Sequence, residues 1–122
     1  MKETLTYHDL EAYKLAFQLS LSILHLTAKI NPNESELKNK LLKSSATIAV
    51  NIAEGWVNRT DQEALIRHIK DAERAVGETK ASLHLGMEYE AIHIDEYVDL
   101  SGQYELLRYK VSELSCNWQM VS

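Results

Sequence analysis

Apolar residues recur at helical spacing along most of the chain, and the pattern predicts four helices. The first is predicted over residues 9–30, where apolar positions alternate in steps of four and three. Asp9 is a candidate N-cap, and the Asn31-Pro32 pair ends the helix because proline disfavours helical angles in the residue before it. The stripe comprises Ala12, Ala16, Leu19, Ile23, Leu26 and Ile30.

The first helix also carries a second apolar flank beside this stripe. A helix that is apolar over so wide an arc buries more than one face. Within a four-helix domain, the second flank therefore predicts contact with another subunit. Its residues are Leu10, Tyr13, Phe17, Leu21 and Leu24.

The second helix is predicted over residues 34–55. Residues 33–36, Asn-Glu-Ser-Glu, match a capping box, and Gly55 suits a left-handed C-terminal cap. Leu37, Leu41 and Ile48 mark its core face. The opposite flank is small enough for another helix to approach closely, and consists of Ala46, Ala49, Val50 and Ala53.

The third helix is predicted over residues 61–90, with a capping box at residues 60–63. Gly77 and Gly86 each weaken an exposed helix by about 1 kcal/mol, which a packing contact would offset. Its stripe is Leu65, Ile69, Ala72, Val76, Thr79, Leu83 and Gly86.

The fourth helix is predicted over residues 95–119 and keeps heptad spacing for three heptads. The connections are short, so neighbouring helices should be antiparallel. The prediction is an all-α, up-down-up-down four-helix bundle in a single domain over residues 1–122. The stripe of the fourth helix is Leu100, Tyr104, Leu107, Val111, Leu114, Trp118 and Val121.

Composition supports an all-α domain and places it in the cytoplasm. The 122 residues include one Pro and four Gly, too few for the turns of a β protein. The lone Cys116 excludes an intrachain disulfide and fits a reducing compartment. Neither a secretory signal nor an apolar run of membrane-spanning length is recognisable, so we expect a cytoplasmic protein without membrane contact.

The charge is unevenly distributed. The net charge is −5, yet residues 81–122 hold two basic and seven acidic residues, whereas residues 29–80 hold nine basic and eight acidic ones. The basic residues of the middle form either an ordinary solvated surface or a phosphate-binding one. The candidates are Lys38, Lys40, Lys43, Arg59, Arg67, Lys70 and Arg74.

Asn51 falls on the core-facing stripe of the second helix, where an unpaired buried amide would cost about 1–3 kcal/mol. It is therefore either a structural lock or part of a site. Glu54 and Glu78 are predicted to flank the groove between the second and third helices, with Arg59 and Arg74 as candidate ion-pair partners. The set either holds the helix ends together or forms a polar groove for a small ligand.

The sequence contains little evidence for a catalytic site or a metal site. Di-iron bundles use two Glu-x-x-His motifs, and Glu90 to His93 is the only match here. Nothing in the sequence places one of the five histidines beside Cys116 or a particular serine, and the chain lacks a Gly-rich phosphate loop. We therefore expect no enzyme activity, catalytic residue, metal or cofactor. Trp56 is expected either to plug the bundle end or to make a functional contact.

A nine-residue motif carries a family resemblance. Residues 47–55, Thr-Ile-Ala-Val-Asn-Ile-Ala-Glu-Gly, match the pattern Ser/Thr-Ile-x-x-Asn-Ile-Ala-Glu-Gly. With this motif, the chain resembles the proteins encoded in intervening sequences of 23S ribosomal RNA genes, sometimes labelled ribosomal protein S23. Further matches are Asp9-Leu10 with Tyr13, Pro32 with Glu34, Arg59, and Ala72 with Glu78.

The resemblance implies an antiparallel four-helix bundle that assembles into a ring-like homopentamer. The family is similar to the accessory variability protein of diversity-generating retroelements, a basic pentamer that binds nucleic acid and a reverse transcriptase. We therefore expect a non-enzymatic oligomer that binds RNA, DNA or a nucleic-acid-handling partner through the seven basic residues above. Asn51, Glu54, Gly55 and Glu78 would then be structural.

This chain departs from the family pattern in its charge. Lys40, Leu42 and Lys43 replace residues of the Gln-x-x-Arg-Arg type, and Arg74-Ala75 replaces Gly-Ser. An acidic member should bind nucleic acid weakly unless an oligomer gathers its basic residues on one face. The alternative is a protein-interaction scaffold without a nucleic-acid role.

Overall fold

The computed structural model describes Tyr7 and residues 10–121, with side chains up to Leu114. Its helices are α1 (Glu11–Ala28), α2 (Ser35–Val57), α3 (Gln62–Glu88) and α4 (Ile94–Val121), and a 3-10 turn (Pro32–Glu34) joins α1 to α2. The described part of the chain contains no strand. The prediction of an all-α protein with four helices is confirmed.

The four helices form a closed bundle. Each packs against its neighbours in the chain, and α1 packs against α4, so that α2 and α4 lie diagonally opposite. The predicted stripes supply the core: five stripe positions of α1 are buried, as are Leu37, Leu41 and Ile48 of α2. The sixth position, Ile30, is also buried but lies just beyond α1, which ends at Ala28, two residues before the predicted end. In α4 the stripe is buried from Leu100 to Leu114, while the side chains of Trp118 and Val121 lie outside the described residues.

The helix starts differ from the predictions. Asp9 lies outside the described residues, and the N-cap position of α1 is Leu10, which makes no side-chain cap. The predicted capping box at residues 33–36 is wrong. Instead, the Asn31 side chain accepts a hydrogen bond from the Asn33 amide at 2.8 Å and caps the 3-10 turn. Pro32 favours this turn because it has no amide hydrogen to satisfy at a first helical position.

At the junction between α2 and α3, the helix boundaries differ from the predicted ones by one or two residues. Asp61, rather than Thr60, caps α3 by accepting from the Ala64 amide at 3.2 Å. The prediction of Gly55 as a left-handed cap is wrong, because α2 continues to Val57 and no described glycine has a positive φ. Gly55 is buried inside the last turn, and the side chain of Asn58 closes the helix by donating to the Glu54 carbonyl at 2.8 Å.

The chain reversal at the end of α3 explains why position 86 of that helix is a glycine. The amides of Ala91 and Glu90 donate to the carbonyls of Gly86 and Met87, with Glu90 in the left-handed region at φ 63°. This is a Schellman motif with glutamate where glycine is usual. A Cβ atom on Gly86 would lie 2.5 Å from Cδ1 of Ile92, so the packing contact predicted for this glycine is confirmed.

Candidate nucleic-acid interface and the polar contacts between α2 and α3

Asn51 joins α2 to α3 through both ends of its amide. Its Nδ2 atom donates to the Thr47 carbonyl at 3.0 Å, and its Oδ1 atom lies 3.0 Å from Nδ1 of His68. Because Oδ1 can only accept, Nδ1 of His68 carries the proton. The Glu54 carboxylate lies 3.5 Å from the same nitrogen. These contacts favour the structural-lock interpretation of Asn51.

A second polar contact joins the same helices deeper in the core. The hydroxyl oxygens of Ser44 and Thr79 lie 2.8 Å apart, and both residues are buried. Thr79 Oγ1 is also 2.8 Å from the Ala75 carbonyl, which can only accept. Thr79 therefore donates to Ala75 and accepts from Ser44, so both hydroxyls are satisfied.

Glu78 does not join Asn51 and Glu54 in one site. His68 marks the level of Asn51 along α3, and Glu78 follows ten residues later, which is about 15 Å at the rise of an α helix. Glu78 lines a separate groove of about 500 Å³ between α2 and α3, together with Lys40 and Lys43. The predicted set of Asn51, Glu54 and Glu78 is therefore split into two places.

The ion pairs predicted for Arg59 and Arg74 are wrong. Arg59 stacks on Trp56, with its guanidinium carbon 3.8 Å from the ring centroid, and it donates to the Trp56 carbonyl at 2.7 Å. Arg74 pairs with Asp71, one turn before it, at 2.6 Å. Because Trp56 packs against the core with Arg59 over its ring, these two residues close the bundle at the α2–α3 turn.

Five of the seven candidate basic residues are exposed, and we call them the basic surface. They fall into two groups: two lysines line the groove with Glu78, and three residues of α3 border a shallow depression with Glu63 and Asp71. Lys38 is half-buried and lies about 160° around α2 from Lys40, so it does not belong to this surface. Arg59 is excluded by its stacking. The basic surface consists of Lys40, Lys43, Arg67, Lys70 and Arg74.

Five of the seven acidic residues between positions 81 and 122 lie on α4. Glu105 pairs with Arg108 of its own helix and with Lys80 of α3, each at 2.5 Å. Hydrogen bonds from Arg108 and Lys80 lower the pKa of this carboxyl to about 2. Asp99 and Glu113 are exposed, so α4 presents negative charge on a different side of the bundle from α2.

Tyr104 has the one buried side-chain hydroxyl without a hydrogen-bond partner among the described residues. Its side chain is fully buried in the core, and burial raises the pKa of the hydroxyl above its usual value of about 10. A neutral hydroxyl in this position contributes bulk to the core, not chemistry.

Sequence reasoning missed His68 and the bond between Ser44 and Thr79. Ser44 and Thr79 do lie on the predicted stripes of two neighbouring helices, and two hydroxyls on facing stripes are a usable signal for a buried hydrogen bond. His68 lies at the edge of the α3 stripe, one residue before the buried Ile69. Its pairing with Asn51 depends on the register of α2 against α3, which the sequence does not specify.

Metal and membrane sites gain no support from the described residues. They contain no group of three or more His, Cys, Asp or Glu side chains that could hold a metal ion. Over the same range, no helix combines the length and apolar character required to cross a bilayer.

Comparison with known proteins places the chain in a family. No curated protein matches it. A family model described as 23S rRNA-intervening sequence protein matches residues 8–113, which include α1, α2, α3 and α4 as far as Glu113. The match contains Asn51 and the basic surface. The chain therefore belongs to the family of 23S rRNA-intervening sequence proteins.

Proposed function

We propose that this protein is a non-enzymatic homo-oligomer that binds nucleic acid through the basic surface. The observation that carries the proposal is the exposure of Lys40, Lys43, Arg67 and Lys70 without an ion-pair partner in the described part of the chain. Unpaired surface cations are free to neutralise phosphates, and phosphate neutralisation supplies most non-specific affinity for nucleic acid.

The net charge of −5 argues against strong binding by a single chain. Exposed carboxylates also lie close to the basic surface, as Glu78 does beside Lys43. An oligomer offsets this weakness because several copies of a weak site bind one strand with a high effective concentration. The family name, which refers to 23S ribosomal RNA, supports RNA as the first ligand to test.

An exposed apolar face supports the oligomer. On α1 the residues Phe17, Leu21 and Leu24 lie 43–51% exposed, although they are large and apolar. On α2 the residues Val50 and Val57 are 52% and 65% exposed. Large apolar side chains exposed along one side of a helix, as Phe17, Leu21 and Leu24 are, mark interaction sites. We call these five residues, with Ala46, the α1–α2 face, and the resemblance favours a pentamer as the assembly that covers it.

Binding to a fluorescent single-stranded RNA and to a DNA duplex, at low and moderate salt, tests the nucleic-acid proposal. The key variant combines Lys43→Gln, Arg67→Gln and Lys70→Gln, and its matched control is Lys110→Gln on α4. We expect the wild type and the control to bind at low salt and the triple variant to lose at least tenfold in affinity. Absence of binding by the wild type at low salt would refute the proposal.

A protein-interaction scaffold without nucleic-acid binding is the second candidate. The α1–α2 face favours it, because this face could bind a partner protein in the same way as a second copy. The two candidates separate in the RNA experiment: a scaffold shows no RNA binding even at low salt, and its affinity for a partner protein is unchanged in the triple variant.

A further inference from the structure

A polar groove runs between α2 and α3, with a volume of about 500 Å³. This volume lies in the range of pockets that bind small molecules. Lys40 and Lys43 line the groove from α2, and Glu78 and Ser82 line it from α3. One wall is therefore cationic, and the other carries a carboxylate and a hydroxyl.

The polar side chains of the groove are not engaged with each other. In the described part of the chain, the amino groups of Lys40 and Lys43 and the carboxylate of Glu78 make neither an ion pair nor a hydrogen bond. Ser82 is only 9% exposed, and its hydroxyl, which stays accessible from the groove, has no hydrogen-bond partner among the described residues. These four groups are therefore available to a ligand.

The α3 wall has a defined order of acceptors and donors. Glu78 and Ser82 are one turn apart on α3, so their side chains lie next to each other along the groove. An ionised carboxylate presents two acceptor oxygens and no donor, whereas a hydroxyl can donate. The Watson–Crick edge of guanine complements this order, because it carries two neighbouring donors, the N2 and N1 hydrogens, followed by the O6 acceptor.

The other three bases fit this wall less well. Adenine and cytosine place a ring nitrogen that can only accept beside their amino group, and this nitrogen would face a carboxylate oxygen. Uracil has one N–H group between two carbonyl oxygens, so a carboxylate oxygen would again face an acceptor. An acceptor that faces another acceptor does not regain the hydrogen bond that it made with water.

The α2 wall provides a site for the phosphate of the same nucleotide. Lys40 and Lys43 are three residues apart on α2, so their amino groups reach the same stretch of the groove. Ammonium groups bind phosphate through charge-assisted hydrogen bonds. Ala81 and the methylene stems of the two lysines add apolar surface on which a flat base can rest.

We infer that this groove binds a guanine nucleotide, with its phosphate at Lys40 and Lys43 and the Watson–Crick edge of its base at Glu78 and Ser82. This assignment rests on the proposed function and deepens it, because in an RNA strand the nucleotide is an unpaired guanosine. Free guanosine monophosphate carries the same groups. The carboxylate of Glu78, which repels phosphates, is then the group that recognises the base.

Four fluorescent RNA strands measure the base preference: a short oligouridine, and versions of it with G, A or C at one central position. Fluorescence anisotropy at low salt gives the affinity of the protein for each strand. A bidentate contact to a base edge discriminates by about fivefold or more. We expect the strand with guanosine to bind at least about fivefold more tightly than the other three, and annealing of a complementary strand to abolish this preference.

Glu78→Gln tests the contact to the base, because the amide presents a donor where guanine also has a donor. Its matched control is Glu63→Gln, which removes an exposed carboxylate beside Arg67 and Lys70 in the other part of the basic surface. Both variants raise the net charge by one, so both should bind all four strands more tightly. Only Glu78→Gln should lose the preference for guanosine. Circular dichroism checks that both variants are folded.

Calorimetric titration with free guanosine monophosphate distinguishes the two sources of the nucleotide. Binding to the wild type that is lost in Glu78→Gln would support a site for the free nucleotide. A guanosine preference that exists only in the RNA strand would support recognition of the strand, in which neighbouring phosphates contact the rest of the basic surface.

Two results would overturn the inference and leave the proposed function intact. One is equal affinity of the wild type for the four strands. The other is an unchanged guanosine preference in Glu78→Gln, which would show that this carboxylate does not contact the base. A wild type that binds no strand at low salt would instead refute the proposed function, and the absence of guanosine monophosphate binding would then overturn the inference as well.

Discussion

Ser44 and Thr79 face each other across the α2–α3 interface, with their hydroxyl oxygens 2.8 Å apart and both residues buried. They replace an apolar contact at one level of the core with a hydrogen bond. His68 precedes Thr79 by eleven residues, about 17 Å along α3, and there it makes a comparable contact with Asn51. Two interhelical polar contacts therefore hold α2 and α3 in one register.

Thr79→Val should lower the free energy of unfolding by about 1–3 kcal/mol, because it leaves the buried Ser44 hydroxyl without its acceptor. Ser44→Ala should cost less, about 0.5–1 kcal/mol, since Thr79 keeps its bond to the Ala75 carbonyl. Urea unfolding of both single variants and the double variant measures the coupling. Additive losses would contradict a direct interaction between the two hydroxyls.

Asn51→Leu should lower the free energy of unfolding by about 1–2 kcal/mol, because His68 loses its closest acceptor and the Thr47 carbonyl loses the donor of the Asn51 side chain. Asn39→Leu, at an exposed position of α2, is the matched control and should change little. Thermal unfolding of both variants, with RNA binding measured alongside, distinguishes a lock from a site. Unchanged stability with lost RNA binding would show that Asn51 belongs to the interface.

The periodic stripes made the fold predictable, because burying one apolar face of each helix provides most of the free energy that holds a bundle together. The helix ends were less predictable. Asn31 and Asn33 are equally good capping residues, and only the 3-10 turn beginning at Pro32 decides between them. The site was least predictable. Both the Glu54 carboxylate and the Trp56 ring lie within five residues of Arg59 in the sequence, and only the folded geometry shows that Arg59 stacks on Trp56.

Gly86→Ala and Gly77→Ala form a matched pair on α3. A methyl group on Gly86 would collide with the buried Ile92, so this variant should lose about 1–3 kcal/mol of stability. A methyl group on Gly77 meets nothing within 4 Å, so that variant should gain up to about 1 kcal/mol from helix propensity. Chemical unfolding measures both changes. Equal effects of the two substitutions would contradict the packing at the end of α3.

Tyr104→Phe should keep or raise stability, by up to about 1 kcal/mol, because it removes a buried hydroxyl without a partner in the described residues. Burial raises the pKa of Tyr104 in the folded state, so the unfolded chain ionises first as the pH rises past about 10. The wild type should therefore lose stability above that pH, and Tyr104→Phe should lose less.

Unfolding midpoints in urea between about pH 9 and pH 11 measure this difference. Tyr109→Phe is the control, because Tyr109 is 58% exposed and its substitution should leave the alkaline loss unchanged. An alkaline loss of equal size in wild type and Tyr104→Phe would contradict the assignment.

Glu105→Gln should reduce the acid sensitivity of the fold. The pKa of Glu105 is lowered to about 2 in the folded protein, so its ion pairs stabilise the fold above the unfolded pKa of about 4.3. That stabilisation is lost as the pH falls from there through about 2. The melting temperatures of wild type and Glu105→Gln should thus converge at low pH. A Glu113→Gln control, at an exposed position, should show no such convergence.

The salt dependence of RNA binding tests the central claim most directly. If the basic surface contacts phosphates, the logarithm of the association constant should fall linearly with the logarithm of the salt concentration. The slope should become less steep in the variant that combines Lys43→Gln, Arg67→Gln and Lys70→Gln, by about 0.7 for each contact removed. Binding with no salt dependence, or with the same slope in wild type and triple variant, would contradict the account.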